Sequence, residues 1–223
     1  CQTQLKNMDK VKCLKAMRCS DPWANIWSHI KFTNENKIDL LLPIYIDAYH
    51  EYQRYVDNPY KVKPMPIWIE TDWFRNLELE RDCDVFLSGS FDKHSHPLRW
   101  HIAETLRKNP QIKQFVKDGH SLDFEGYVRT INRTKILPFG NVELPYIGTK
   151  RVVRWAIGKW TEAMACGTMV MADKPNRAEE YHYVSDFNFI DVNSENFLEK
   201  LTYYLGYDDE RRRIARNGWE TIQ

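Results

Sequence analysis

The chain has 223 residues, of which 43% are hydrophobic, 13% aromatic and 28% charged, a make-up that fits a folded globular protein and excludes a disordered one. That length is enough for one large domain, or for a domain with part of a second, and for a sizeable core. With 32 Lys plus Arg against 31 Asp plus Glu the formal net charge is +1, so no global field draws the chain to nucleic acid or to an anionic membrane, and any anion binding must be local.

Residues 2–18 place Leu5, Met8, Val11, Leu14 and Met17 at intervals of three, which predicts a helical stripe. A second helix is expected from Pro22, with Ser20 or Asp21 as its cap. "KIDLLLPIYI" (37–46) reads as a buried strand and "DAYHEYQRYV" as the helix after it. "KVKPMPIWIETDWF" (61–74) predicts one more strand, then a polar turn. "CDVFLSGSF" (83–91) is the clearest strand; it leads through a Gly-Ser loop into a helix with Pro97 in its first turn and basic residues near its end.

The alternation continues with a strand at "LDFEG" (122–126), a helix from about 127 and a strand at "KILPF" (135–139). A helix around "KWTEAMAC" then leads to a buried strand "TMVMA" (168–172), with Gly167 as the left-handed residue between them. Strand "NFIDV" (188–192), a helix capped by Ser194 and a last helix capped by Asp208 or Asp209 complete the pattern. Strands alternating with helices imply an α/β fold with a doubly wound parallel sheet. Two prolines and a polar turn interrupt the pattern within 61–82 and mark the linker region.

The five cysteines, Cys1, Cys13, Cys19, Cys83 and Cys166, are odd in number and contain no C-x-x-C pair. This argues against a disulfide framework or a zinc site and for a reducing, cytoplasmic compartment. No apolar run approaches the roughly 18 residues of a membrane span, and the first residues lack the apolar core of a signal peptide. The chain begins on Cys rather than Met, and the expectation is that further residues precede it in a longer protein.

Glu162 stands ahead of Ala163, Ala165, Cys166 and Gly167, residues small enough to seat their helix closely on the sheet. A carboxylate held so rigidly can accept hydrogen bonds from two neighbouring hydroxyls, as a ribose diol would require. From pattern alone, ordinary helix-sheet packing with a solvated Glu is the more frequent explanation. The loop "SGSFDKHSHP" feeds a helix whose free N–H groups attract anions, and Gly89, Ser90, Lys93 and Arg99 lie on or near it. "HSH" (94–96) has no third ligand nearby and reads as polar loop, Asp84 of "DCD" marks the start of its strand, and "RRR" (211–213) reads as intrahelical pairing on a solvent face.

"KWTEAMACGTMVMADKPNRAEEY" (159–181) resembles the donor-binding segment of group 1 glycosyltransferases of the GT-B fold, nearest to the branch resembling the spore-maturation protein CgeB. Three further stretches are similar in the same order: 69–106, "LDFEGYV" (122–128) and 188–222. The resemblance spans roughly residues 66–223 and implies a Rossmann-like nucleotide-sugar domain at 83–223, a linker at 66–82, and the C-terminal part of an acceptor domain at 1–65. It implies metal-independent transfer of a sugar, hexosyl and with retention, from a nucleoside-diphosphate sugar of UDP or GDP type, without a cofactor, to a hydroxyl of a glycan, lipid or protein acceptor. No nucleic-acid partner and no transmembrane segment are implied, and a homo-oligomer is left open.

Residue by residue, Glu162 matches the second Glu of the group's paired glutamates, whose role is to hold the ribose. The first would fall at 154, where this chain has Arg154, a departure shared by CgeB-like members. Lys159 matches a basic residue suited to neutralising diphosphate charge, Lys174 lies on the loop after the strand, and Glu179 or Glu180 matches an acidic residue beyond it. No catalytic base is assigned. Two alternatives stay open: a non-catalytic nucleotide- or partner-binding domain that keeps the GT-B donor fold, and a nucleotide-sugar epimerase, which would need both domains and its own acid and base.

Overall fold

The structure is a computed structural model and describes residues 7–20, 22–65, 69–119, 122–145 and 152–223. The chain divides into two compact units, residues 1–67 with 145–151 and residues 68–144 with 152–223.

The first unit holds β1 (Ala16–Cys19), α1 (Pro22–Glu35), β2 (Leu40–Pro43) and α2 (Ile46–Tyr55), with β1 and β2 paired in parallel. Ile26, Ile30, Leu41, Ala48 and Tyr52 are among its buried side chains. The helix expected over 2–18 is corrected within its described part: Met8–Lys10 is one 3-10 turn and Ala16–Cys19 is a strand. Of the described stripe positions Val11 is 38% and Leu14 74% exposed, while the Lys15 backbone binds Asp39 and Leu40 and feeds the strand into the sheet. Of the strand expected in 61–74, residues 66–68 lie outside the described residues; among the described ones there is a single bridge, Leu41 to Val62. The N–H groups of Lys63 and Met65 still reach carbonyls of β2, but Pro64 between them has none to give.

The second unit is a five-stranded sheet in the order β4-β3-β5-β8-β9. Its strands are β3 (Cys83–Gly89), β4 (Gln114–Asp118), β5 (Thr134–Phe139), β8 (Met169–Ala172) and β9 (Ile190–Asp191), all paired in parallel. Alternate residues serve opposite cores. Val85, Leu87, Ile136, Met169 and Met171 pack with α3 (Pro97–Arg107) and α6 (Phe197–Gly206). Phe86, Leu137, Phe139, Val170 and Ala172 pack with α4 (Phe124–Arg133) and α5 (Lys159–Ala165). A sheet covered on both faces is why these strands read as continuous apolar runs. β6 (Val142–Pro145) and β7 (Val152–Trp155), which no sequence signal announced, form a separate two-stranded sheet. α7 (Asp208–Ile222) closes the unit against α5 and β8.

Three further expectations are corrected here. "LDFEG" is no strand: the Asp123 carboxylate accepts from Gly126 N–H at 2.8 Å and caps α4. The missing strand is β4, eight residues earlier at its start. Ser194 does not cap α6; Asn196 stands at the cap position, and the Asn193 and Asn196 side chains bind the surrounding N–H groups. Tyr207 occupies the cap of α7, which leaves Asp208 and Asp209 in its first turn. Asp208 there pairs with Arg211 at 2.5 Å, and Arg211, 3% exposed, is buried rather than on a solvent face.

β3 has β4 on one side and β5 on the other, so the chain reverses its direction of growth at the β3/β5 crevice. Open parallel sheets bind ligands beyond the carboxyl ends of strands at such a switch point.

Candidate functional site

β3 ends at Ser88 and Gly89, on the carboxyl side of that crevice. Gly89 has φ +101, a conformation that lets the chain turn sharply where a side chain would be strained. The loop beyond it is held from within: Asp92 accepts from the N–H groups of His94 at 3.2 Å and Ser95 at 2.9 Å, and from the Ser95 hydroxyl. Pro97 then opens α3 with the geometry a first turn needs.

Arg99, on that first turn, is 4% exposed. Its guanidinium donates to Ser90 O at 3.1 Å and Gly140 O at 3.0 Å, tying the ends of β3 and β5 together from beneath. Burial lowers its pKa to about 10, so it remains charged. A Cβ on Gly140 would stand 2.8 Å from the Arg99 N, which explains why glycine follows β5.

α5 brings up the third wall. Lys159 Nζ donates to Ser88 Oγ at 3.0 Å and to the Tyr127 hydroxyl at 3.2 Å. Tyr127, from α4, donates in turn to Glu162 Oε2 at 2.6 Å. Burial, with Arg99 nearby and only partly offset by Glu162, pushes the Lys159 ammonium down to about 8. Burial and the Glu162 carboxylate push the Tyr127 phenol up, so it stays protonated and acts as a donor. His96, at the cap of α3, is held down to about 4 by burial and by the charge on Arg99.

Of the residues singled out in the sequence, the structure therefore brings Gly89, Ser90, Arg99, Lys159 and Glu162 to one end of the sheet. Lys93 lies on the same loop but rests its ammonium over the Trp100 ring, 4.4 Å from the centroid. Lys174 pairs with Glu179 at 2.6 Å and Glu180 with Arg177, on the exposed turn after β8. Arg154 donates to Glu143 Oε1 at 2.7 Å and lies 3.4 Å from Asp173 Oδ2. Asp173 accepts from Asn141 N at 2.8 Å, and Asn141 Oδ1 from Trp160 Nε1 at 2.8 Å, so a buried polar web fixes the β5 and β8 ends.

Ser88, Tyr127 and Asn141 escaped the sequence reading. With a strand expected at "LDFEG", Tyr127 is only the first residue of the helix after it; with the helix capped by Asp123, its hydroxyl-bearing ring falls one turn before Ile131 on the buried face. Asp173 directly follows β8 and Asn141 follows β5 after Gly140, at the strand ends where a sheet of this kind presents polar groups. Among the described residues no group of three or more His, Cys, Asp or Glu is arranged to hold a metal ion.

The family model of glycosyl transferase-like proteins matches residues 72–223. Among the curated proteins none matches the chain. Of the solved structures, Anabaena Alr3699/HepE in complex with UDP and glucose superposes with a TM-score of 0.63 at 12% identity, over 94% of this chain and 66% of that one. Sucrose-phosphate synthase from Thermosynechococcus elongatus gives 0.59 at 14% identity, over 92% of this chain and 59% of that one. The C-terminal domain of a group 1 family glycosyl transferase (LpcC) from Francisella tularensis gives 0.52 at 16% identity, over 69% of this chain and 96% of that one. The chain thus spans under two-thirds of the length of the first two. No helix among the described residues is long and apolar enough to cross a membrane. The match over 72–223 and the shared parallel-sheet architecture establish that the chain belongs to the glycosyl transferase-like family and has the GT-B fold of the group 1 glycosyltransferases.

Proposed function

We propose that the second unit binds a nucleoside-diphosphate sugar and that the protein transfers the sugar to an acceptor hydroxyl. The observation that carries this reading is the cluster Ser88, Lys159, Tyr127 and Glu162 at the switch point, beside the α3 N-terminus. In it the Glu162 carboxylate accepts the ribose hydroxyls. The Lys159 ammonium and the free N–H groups of α3 face the diphosphate and stabilise the charge that develops on it as the glycosidic bond breaks. Arg99 braces the loop that shapes this pocket. No metal is invoked, because these groups supply the positive charge. Anabaena Alr3699/HepE, described with UDP and glucose, supports a uridine nucleotide as the first donor to try.

Several finer points belong to the same proposal. Arg154, where group 1 relatives carry a first Glu, fits the CgeB-like branch. Residues 1–65 are the tail of an acceptor domain, residues 66–82 the linker, and Lys93, Lys174, Glu179 and Glu180 the outer rim of the donor site. The free Cys13, Cys19, Cys83 and Cys166 fit a reducing, cytoplasmic setting. Hexosyl transfer with retention follows from the group 1 resemblance.

The test is a thermal-shift panel of nucleoside diphosphates and their sugars on the wild type and on Glu162→Ala. A ligand at a hundredfold excess over its Kd stabilises by about 2.7 kcal/mol, and the expected result is such a shift for one nucleotide, lost in the variant. Equal shifts in both proteins would remove Glu162 from the site. One observation favours a second reading, a nucleotide-binding domain without catalysis: Arg154 is already paired with Glu143 and Asp173 and offers the sugar no acid. Turnover of the bound donor sugar separates the two.

A further inference from the structure

Lys159 and Glu162 lie one turn apart on α5, close enough to neutralise each other, yet no ion pair joins them. The Tyr127 hydroxyl stands between, accepting from Lys159 Nζ at 3.2 Å and donating to Glu162 Oε2 at 2.6 Å. Its ring is set in a stack of aromatic edges: Phe74 at 6.4 Å and Phe86 at 5.8 Å between centroids, with Lys159 Nζ 5.2 Å from the ring centre. Ser88 Oγ holds the ammonium from the other side at 3.0 Å. The phenol is therefore fixed by packing before it makes either polar contact, and it belongs to a different helix from the two groups it separates.

We propose that Tyr127 is a positioning residue of the donor site, a neutral spacer that keeps the Lys159 ammonium and the Glu162 carboxylate apart so that each keeps bonding capacity for a nucleoside diphosphate. This rests on the reading of Lys159 and Glu162 as donor contacts. The physical reasoning is simple. A direct Lys–Glu pair in a half-buried pocket would satisfy both charges internally, and a ligand would have to break it. A phenol takes one hydrogen bond and gives one, and leaves Glu162 Oε1 and two of the three Lys159 protons for other partners, one of those protons going to Ser88.

Tyr127→Phe keeps the ring and removes the spacer. The charged and titratable groups that act on this cluster are Glu162 and Cys166 from the α5 segment, Arg99 of α3 and His96 at its cap. None of them replaces the hydroxyl. In the variant Lys159 and Glu162 close on each other, and the lysine, which burial holds down to about 8 in the wild type, becomes harder to deprotonate.

The experiment measures the affinity of the wild type, Tyr127→Phe and Glu162→Ala for UDP and GDP by calorimetry between pH 6.5 and 9.5, with a thermal melt of each protein. The expected result is a Tyr127→Phe protein that melts close to the wild type but binds about tenfold more weakly. Its loss of affinity with rising pH is expected to move to higher pH than in the wild type, a shift that a purely structural role for the ring would not cause. If Glu162→Ala abolishes binding while Tyr127→Phe keeps wild-type affinity and pH profile, the spacer role is overturned and the donor reading stands. If Glu162→Ala binds as the wild type does, the donor reading and the spacer role fall together. Should Tyr127→Phe melt well below the wild type, the pH profile of Ser88→Ala decides. Removing the ammonium's other anchor leaves the spacer in place, so a pH midpoint that rises there as well overturns the proposal.

Discussion

Gly89 and Arg99 fit against each other with no room to spare: a Cβ on Gly89 would stand 3.0 Å from the Arg99 guanidinium and 3.6 Å from Lys159 Cε. The tight turn after β3, the brace beneath it and the proposed phosphate-facing lysine are thus one packing unit. Gly89→Ala is expected to destabilise the protein by about 1–3 kcal/mol, because alanine must adopt φ +101 and also displace the guanidinium. Urea denaturation measures it. A variant as stable as the wild type would mean that the turn relaxes without Arg99.

Arg81 organises the opposite end of the sheet. Its NH1 donates to Thr134 O at 2.5 Å and Thr168 Oγ1 at 2.8 Å, and its NH2 to Cys166 O at 2.8 Å and Gly167 O at 2.7 Å. A single guanidinium thereby satisfies the backbone where β5 begins and where α5 turns into β8. Arg81→Lys is expected to cost about 2–4 kcal/mol, since an ammonium cannot reach both sets of carbonyls and leaves buried acceptors unmet. A midpoint shift under 0.5 kcal/mol in chemical denaturation would contradict this.

What the sequence made legible follows from how strongly each element depends on its own residues. β3 and β8 are buried on both faces, so Val85–Leu87 and Met169–Ala172 read as unbroken apolar runs, and α3 carries its start signal in Pro97. β4 is an edge strand whose "QFVKD" is largely half-exposed or exposed, so its pattern is no different from a loop's. The stripe in 2–18 has helical periodicity, but among its described positions Val11 and Leu14 stay exposed and Met17 lies in a strand. The site was legible where small residues and glycine are forced, at Gly89 and around Glu162. It was not legible where a residue acts through tertiary contact: Tyr127 reaches Glu162 across 35 positions and Lys159 across 32. Lys93, Lys174, Glu179 and Glu180 stand where loop position and the resemblance put them, and the contacts each makes, with Trp100, between Lys174 and Glu179, and with Arg177, are not visible in a linear reading.

The Asp123 cap gives a third prediction. The α4 N-terminus offers Gly126 N–H to the carboxylate, and a Cβ at 126 would stand 2.6 Å from that oxygen. Asp123→Ala is expected to cost about 1 kcal/mol. Gly126→Ala is expected to cost at least as much by pushing the cap aside, despite alanine's better helix propensity. Thermal melts of both variants test the pair, and a Gly126→Ala protein more stable than the wild type would show that the cap is dispensable.

Two groups near the site titrate in opposite senses. Burial raises the Asp173 carboxyl from 3.8 to about 6, with Asn141 N–H and Arg154 offsetting only part of it. A group whose folded pKa lies above its unfolded value holds its proton more tightly when folded. Its contribution is complete below about pH 4 and is lost as the pH rises through about 6. His96, lowered from 6.5 to about 4, does the reverse: its contribution is complete above its unfolded value and is lost as the pH falls toward 4. Between these limits the two oppose each other and flatten the profile of the wild type. Asp173→Asn removes one side of the balance, so stability measured by urea denaturation is expected to fall more steeply from pH 6.5 to 4.5 than in the wild type. The added loss is bounded at about 3 kcal/mol, the free energy of a shift of roughly two units. His96→Gln is expected to tilt the profile the other way, gaining stability relative to the wild type as the solution is acidified. Parallel profiles for all three proteins would mean that neither group carries its shift into the folding equilibrium.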